Sequence, residues 1–326
     1  MQRRKFMKFL ALSPALLNAD SKLFNGNEGI ASIIDIDKCD GCKDLAIPAC
    51  VKACKDKNKA RFPRPAENIP DYFPLKIKED YSKNKDDISR LTPYNFTFIE
   101  SVQIEDKTLF IPRRCMHCDD PTCQKICPFG VISKDKNNAV DIDENFCFGG
   151  AKCRDACPWG IPQRQAGVGI YLKIAPKLAG GGAMFKCDMC KDLLALNQKP
   201  ACEANCPKNA LIFDKKSVIA ELVQKAKNEG KFIYGDTQNG GTSTFYISSI
   251  DFENINEAIK QKYKITGEFN AKTQKMGRPH LNLEVRNFIN DDSALVKTVL
   301  FTPVVALAAG AFAVARANKK DKKDKE

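Results

Sequence analysis

Fifteen cysteines against two histidines fall into four groups along a chain of 326 residues. The first is Cys39, Cys42, Cys50 and Cys54, spaced C-x2-C-x7-C-x3-C. The second, Cys115, Cys118, Cys123 and Cys127, runs C-x2-C-x4-C-x3-C and is followed by Pro128. The third has three members, Cys147, Cys153 and Cys157, followed by Pro158. The fourth is Cys187, Cys190, Cys202 and Cys206, followed by Pro207, with eleven residues in its middle gap. Thiolates at this spacing suit an iron–sulfur cube, which needs four corner ligands. A short loop wraps three corners, and the fourth comes from the distant cysteine before proline, which in two-cluster ferredoxins serves the other cluster. The competing chemistries fit less well. Zinc sites use isolated Cys-x2-Cys pairs without a C-x3-C-P ending in every group. Cysteines two residues apart rarely bridge each other as disulfides.

The elements that hold these groups repeat. Ile34-Asp35-Ile36-Asp37 before Cys39 echoes Val140-Asp141-Ile142-Asp143 before Cys147. Arg114-Cys115-Met116-His117-Cys118 matches Lys186-Cys187-Asp188-Met189-Cys190, and Pro121-Thr122-Cys123 through Cys127-Pro128 matches Pro200-Ala201-Cys202 through Cys206-Pro207. A two-motif unit is therefore duplicated, and a repeat of this kind governs the fold. The predicted fold class is α+β: tandem two-cluster ferredoxin-like modules with a pseudo-twofold repeat, a C-terminal extension and one transmembrane helix. In this alignment Gly149 answers Gly41, and Gly150 falls where Cys42 would be. Glycine has no donor atom. That cluster is expected to lose a corner iron, to take a non-cysteine ligand, or to be absent, and a three-iron cluster is favoured. His117 is expected to hydrogen-bond near a cluster rather than ligate it, and Trp159 to pack over one. Ser217 to Gly230 reads as an amphipathic helix capped by Ser217, with Val218, Ile219, Leu222, Val223 and Ala226 on one face. Asn239-Gly240-Gly241 reads as a turn into a strand over Thr242–Ile247.

Both ends carry addressing patterns. Arg3-Arg4 with an apolar stretch from Phe9 to Ala19 has the layout of a twin-arginine export signal, a route for proteins already folded around a cofactor. Thr298 to Ala315 is an uncharged apolar run of 18 residues, followed by a lysine-rich tail. It is long enough to cross a bilayer, and the positive-inside rule puts the tail in the cytoplasm. The expected organisation is a signal-like segment at 1–28, an iron–sulfur domain at 29–215 with an insertion at about 55–114, an extension at 216–293, an anchor at 294–317 and a tail at 318–326. The insertion, polar and dotted with proline, reads as a lid or partner-facing segment. The expected location is the bacterial inner membrane with the bulk of the chain periplasmic. The net charge of +12 is spread between cysteine motifs without interleaved aromatics, which excludes nucleic acid as a partner. No Ser/His/Asp constellation, phosphate loop or dinucleotide fingerprint occurs, so the chain alone turns over no substrate.

Taken together, the four groups, their C-P endings and the 60-residue interval between groups one and two resemble the four-cluster ferredoxin-like electron-transfer subunits of bacterial respiratory oxidoreductases. In layout the chain is most similar to the membrane-anchored iron–sulfur subunit of periplasmic nickel–iron hydrogenase-2. The segment Asn239-Gly240-Gly241-Thr242-Ser243-Thr244-Phe245-Tyr246 is similar to one in formate dehydrogenase-N beta subunits. The resemblance implies one cluster on Cys39, Cys42, Cys50 and Cys206, and a second on Cys187, Cys190, Cys202 and Cys54. It implies a third on Cys115, Cys118, Cys123 and Cys157, and a defective one on Cys147, Cys153 and Cys127. That makes three [4Fe-4S] clusters plus one [3Fe-4S] or atypically ligated cluster. It also implies a non-catalytic role, relaying electrons between a catalytic subunit and an integral-membrane, quinone-reactive subunit. The catalytic partner is expected to be of the nickel–iron type, or alternatively a molybdenum or tungsten formate dehydrogenase or related reductase. A free-standing membrane-bound redox sensor and a metal-free scaffold are the readings from other classes.

Overall fold

The computed structural model describes residues 29–70, 78–174, 181–265, 276–285 and 287. The twin-arginine segment at 1–28, the anchor at 294–317 and the tail at 318–326 lie outside the described residues.

The chain enters as strand β1 (Ile30–Asp35) and, after the first two cysteines, forms helix α1 (Ala49–Asn58). A hairpin follows, β2 (Phe98–Ile104) and β3 (Lys107–Arg113). The second and third cysteine groups alternate with short elements: α2 (Thr122–Lys125), β4 (Ile132–Lys134), β5 (Val140–Ile142), α3 (Lys152–Asp155), β6 (Gln163–Gln165) and α4 (Tyr171–Ile174). Around the fourth group come β7 (Ala183–Phe185), α5 (Lys191–Ala195), α6 (Ala201–Ala204) and β8 (Leu211–Lys215). The chain then runs through α7 (Lys216–Asn228), β9 (Phe232–Tyr234), β10 (Thr244–Ser248) and α8 (Phe252–Tyr263).

One four-stranded sheet, in the order β8-β1-β10-β9, frames the first and fourth groups. Its alternating side chains separate two cores. Ala31, Ile33, Phe245 and Ile247 meet Ile219, Val223 and Ala226 of α7 on one face. Ile34 and Tyr246 turn the other way, into the main core with Cys50, Cys115, Cys202, Trp159 and Tyr234. A smaller core gathers Cys54, Cys147 and Cys153 with Ile132, Val140 and Phe185. Cysteines are thus core residues, and the helices that carry them are too short to be stable by themselves.

Helix α7 matches the expected amphipathic segment with two changes. Lys215 rather than Ser217 occupies the N-cap position, and no side chain caps that end. The buried face is Ile219, Ala220, Val223 and Ala226, while Val218 and Leu222 stay 36% exposed. Gly230, at φ +76°, ends the turn as expected. Strand β10 begins at Thr244 because Thr242 bridges instead to Cys118. The latter half of the segment at 55–114 is core rather than lid: Leu91, Tyr94, Phe98, Val102, Leu109 and Ile111 are all buried.

Mixed helices and strands arranged around repeated cysteine loops agree with the α+β ferredoxin-like expectation. The transmembrane part of that expectation is corrected. Among the described residues no helix is long and apolar enough to cross a membrane. The longest, α7, has 13 residues and a strongly polar face, so it spans only about two-thirds of a bilayer core.

Candidate metal centres

The duplication is sharper in the backbone than in the sequence. Strands β1 and β8 pair antiparallel with Ile34 opposite Leu211, and β5 and β4 pair with Ile142 opposite Ile132. Asp35 N–H donates to Ala210 O at 2.8 Å, and Asp143 N–H to Val131 O at 2.8 Å. Ile34 therefore answers Ile142, not Val140, and each lies five residues before the first cysteine of its group. With that register Cys39 answers Cys147, and Gly150 stands at the place of Cys42 without any gap.

All four loops share one backbone device. Two residues after the first cysteine the chain is left-handed, at Gly41 (φ +70°), His117 (+49°), Gly149 (+66°) and Met189 (+60°). His117 and Met189 hold this conformation against a cost of about 1–2 kcal/mol each. The bend turns backbone N–H groups toward sulfur: Gly149 and Met189 each donate to the first cysteine Sγ of their loop at 3.4 Å. The Gly41 N–H lies on the same side of its loop and offsets part of the rise in the Cys39 thiol. The next position divides the loops: Cys42 and Cys190 are left-handed at φ +49° and +51°, Cys118 and Gly150 are not, and the third loop has its further left-handed residue at Ala151 (φ +58°).

Helix α1 carries Cys50 and Cys54 one turn apart, and the two serve different sets. Cys39, Cys42, Cys50 and Cys206 line one cavity with Ile99 and Leu211. Cys54, Cys187, Cys190 and Cys202 line a second with Arg114 and Phe213. Cys115, Cys118, Cys123 and Cys157 line a third with Trp159 and Lys186. Cys127, Cys147 and Cys153 gather in the smaller core beside Val131 and Ala151. The three cavities bring together the sets that the resemblance implied, while Cys127, Cys147 and Cys153 share their core with Cys54, Cys123 and Cys187. All fifteen cysteines are unbridged. Among the described residues, no three His, Cys, Asp or Glu side chains are drawn together tightly enough to share a single ion. Thiols spread around a cavity suit a cluster whose iron atoms each take one corner.

Burial pushes several of the thiols up, Cys39 to about 11 against the nearby Gly41 N–H, and Cys50 and Cys157 to about 12. Cys54, Cys118 and Cys153 are raised further, again by burial first and neighbouring thiolates second. Free thiols so placed stay protonated at neutral pH, and a bound cationic centre is what converts them to thiolates. The donor chemistry therefore fits iron–sulfur clusters.

Neighbouring side chains complete the sites. Asn239 Nδ2 donates to Cys118 Sγ at 3.3 Å, from a buried residue at φ +56°. Its loop is stitched to the second cysteine group by Asp119 N–H to Gly241 O and Ser243 N–H to His117 O. In sequence the Asn-Gly-Gly segment reads as a turn into a strand, with no sign of a sulfur partner. His117 is fully buried, accepts the Val140 N–H at Nδ1 (2.9 Å), and is held neutral by burial and by Lys186 and Arg114. Trp159 lines the third cavity and donates to Tyr234 Oη at 2.6 Å. Around the third loop, Arg164 donates to Gly149 O at 3.0 Å, and Glu79 receives both Arg154 and Arg164.

Two family models, each described as a 4Fe-4S dicluster domain, match residues 38–131 and 106–216. The chain is 31% identical to the formate dehydrogenase-O iron-sulfur subunit of Escherichia coli over 230 residues, covering 68% of this chain and 67% of that protein. It is 30% identical over 228 residues to the iron-sulfur subunit of the nitrate-inducible formate dehydrogenase of the same species (67% and 67%). It is also 32% identical over 192 residues to a probable anaerobic dimethyl sulfoxide reductase component of Escherichia coli (59% and 75%). These names favour the formate dehydrogenase side of the expectation over the nickel–iron hydrogenase side.

Proposed function

The chain belongs to the ferredoxin-like iron–sulfur electron-transfer subunits, and from that premise we propose that it serves a molybdenum- or tungsten-dependent catalytic subunit of the formate dehydrogenase or dimethyl sulfoxide reductase kind. The single observation that carries the relay is the interleaving of the four cysteine sets. Cys50 and Cys54 on α1 link the first two cavities, as Cys202 and Cys206 do, while Cys123 with Cys127 and Cys153 with Cys157 link the third to the last. Three sets offer four cysteines each and would hold [4Fe-4S] clusters. The set at Cys127, Cys147 and Cys153 would hold a [3Fe-4S] cluster, because Gly150 is exposed and offers no donor where Cys42 does. Bound there, the clusters supply reversible one-electron uptake. The residues of this chain fix thiol positions, aim N–H groups at sulfur and keep water out with Trp159, Phe213 and Ile99.

The far end of the relay is a quinone-linked membrane subunit, and Arg3-Arg4 with the apolar stretch after it supports export of the folded chain to the outer face of the inner membrane. Elemental analysis of the complex purified anaerobically in mild detergent tests the assignment. Molybdenum or tungsten in step with the chain supports it. Nickel would move the partner to hydrogenase. A chain that purifies alone and changes conformation on cluster loss would favour a redox sensor. A colourless, iron-free preparation would leave only a scaffold.

A further inference from the structure

Two buried cations occupy equivalent places in the duplication, each directly before the first cysteine of its loop: Arg114 before Cys115 and Lys186 before Cys187. They are 2% and 3% exposed. Each crosses to the other loop's cavity. Arg114 lines the one formed by Cys54, Cys187, Cys190 and Cys202, and Lys186 lines the one formed by Cys115, Cys118, Cys123 and Cys157.

Neither forms an ion pair with a carboxylate among the described residues. Arg114 donates from Nη1 to Cys115 O at 3.3 Å and from Nη2 to Ser32 Oγ, and its guanidinium lies over the Phe213 ring at 4.8 Å. Its buried Nε–H has no hydrogen-bond partner. Lys186 Nζ donates to Val140 O and, at 2.9 Å, to Cys187 O. Carbonyls and a hydroxyl satisfy donors but do not neutralise a charge, and a buried cation without an anion is strongly disfavoured. The nearby carboxylates are engaged elsewhere, Asp188 with Arg61 and Asp141 with Lys191. What the two cations face is the cysteine sets, once the thiols are metal-bound thiolates. At the first cavity the lining cation is Lys208, which is half exposed and paired with Asp40.

We propose that Arg114 and Lys186 are a crossed pair of potential-setting residues, each raising the reduction potential of the cluster held in the other loop's cavity. The inference rests on the iron–sulfur reading of the two central sets. Reduction adds one electron, and thus one negative charge, to a set without forming or breaking a bond to protein or moving a proton. A fixed positive charge in a dry cavity favours the reduced form more than the oxidised form. The two middle stations are thereby easier to reduce than the same thiolates would be in neutral surroundings.

The test is an EPR-monitored redox titration of the anaerobically purified complex, with iron and acid-labile sulfide counted for every variant. Arg114→Gln should lower one cluster's potential by at least a tenfold change in its reduction equilibrium, about 59 mV for one electron. Lys186→Gln should do the same to a different cluster, while Arg114→Lys and Lys186→Arg stay within about threefold of the unmodified protein. Cys190→Ser and Cys118→Ser mark which signal belongs to which cavity. The Arg114→Gln shift must fall on the signal that Cys190→Ser perturbs. Full iron with unmoved potentials, or a shift on the loop's own cluster, overturns the proposal. If the neutral variants lose iron, the charge-preserving pair decides: retained iron at unmodified potentials supports a charge role, and loss there too shows a packing role and overturns it. Absence of iron from the unmodified complex would instead sink the cluster reading itself.

Discussion

A Cβ built on Gly150 meets no atom within 4 Å, and its φ lies outside the left-handed region. The position is therefore open to a side chain on both steric and backbone grounds. Gly150→Cys should add about one iron per chain and replace a three-iron EPR signature in the oxidised protein with a four-iron one in the reduced protein. Unchanged iron would show that the third loop, with its bend at Ala151, cannot deliver a thiolate to that corner. Asn239 acts on the second group from outside the repeat. Asn239→Gly keeps the left-handed backbone and removes only the amide donated to Cys118 Sγ. The bond to sulfur strengthens as reduction adds negative charge, so its loss should lower that cluster's potential in a redox titration, by at most about 90 mV if all of a bond of about 2 kcal/mol were made only in the reduced state. The fifteen cysteines were legible because thiolate spacing is local in sequence. Asn239 was not, because its partner lies 121 residues away and nothing in an Asn-Gly-Gly turn announces a sulfur acceptor.

Elements show where sequence periodicity reaches its limit. Helix α7 was readable from its apolar spacing, yet its start was not, because β8 runs directly into it and leaves Lys215, not Ser217, at the cap. The alignment of Ile34 with Val140 was set by matching letters, whereas strand pairing aligns it with Ile142. Two extra residues between the Asp-Ile-Asp echo and Cys147 vanish once hydrogen bonds define the register. The loop segment before the hairpin β2–β3 carried no periodic signal, but it supplies Glu79, which clamps the third cysteine loop. Arg154 Nη1 and Nη2 reach its two oxygens at 2.6 and 2.9 Å, and Arg164 adds a third contact. Burial alone would raise the Glu79 carboxyl, but the two guanidiniums outweigh it and hold it below the usual glutamate range. A depressed carboxyl contributes stability that is complete above the unfolded value and disappears as pH falls through the folded one. Glu79→Gln should therefore cost about 3 kcal/mol at neutral pH. In thermal melts the gap between variant and unmodified protein should narrow below about pH 4. A gap independent of pH would mean that Glu79 acts through shape rather than charge.

At the scale of the molecule, the four sets cannot be treated as separate cofactors on a finished scaffold. The main core is built around Cys50, Cys115 and Cys202, and the smaller one around Cys54, Cys147 and Cys153. Helices α2, α3 and α6 are four residues each, below the length at which a helix stands alone. What orders them is the cluster that their cysteines would share with a distant loop. Since α1 belongs to both cavities it joins, losing one set removes support from the next. Removing iron anaerobically with a chelator should then lower the melting temperature by more than about 15 °C, the shift expected from several kcal/mol in a domain this size. Both cores should open in one transition. The sheet β8-β1-β10-β9 with α7 is the part best able to persist, because its contact face is Ala31, Ile33, Phe245, Ile247, Ile219 and Val223, with no cysteine among them. Hydrogen exchange on the stripped protein reads this directly. Protection retained at β1, β10 and α7 but lost across residues 115–206 would show that the duplicated loops depend on their metal while the sheet folds without it. Equal protection throughout would instead show that the cysteine loops are preformed.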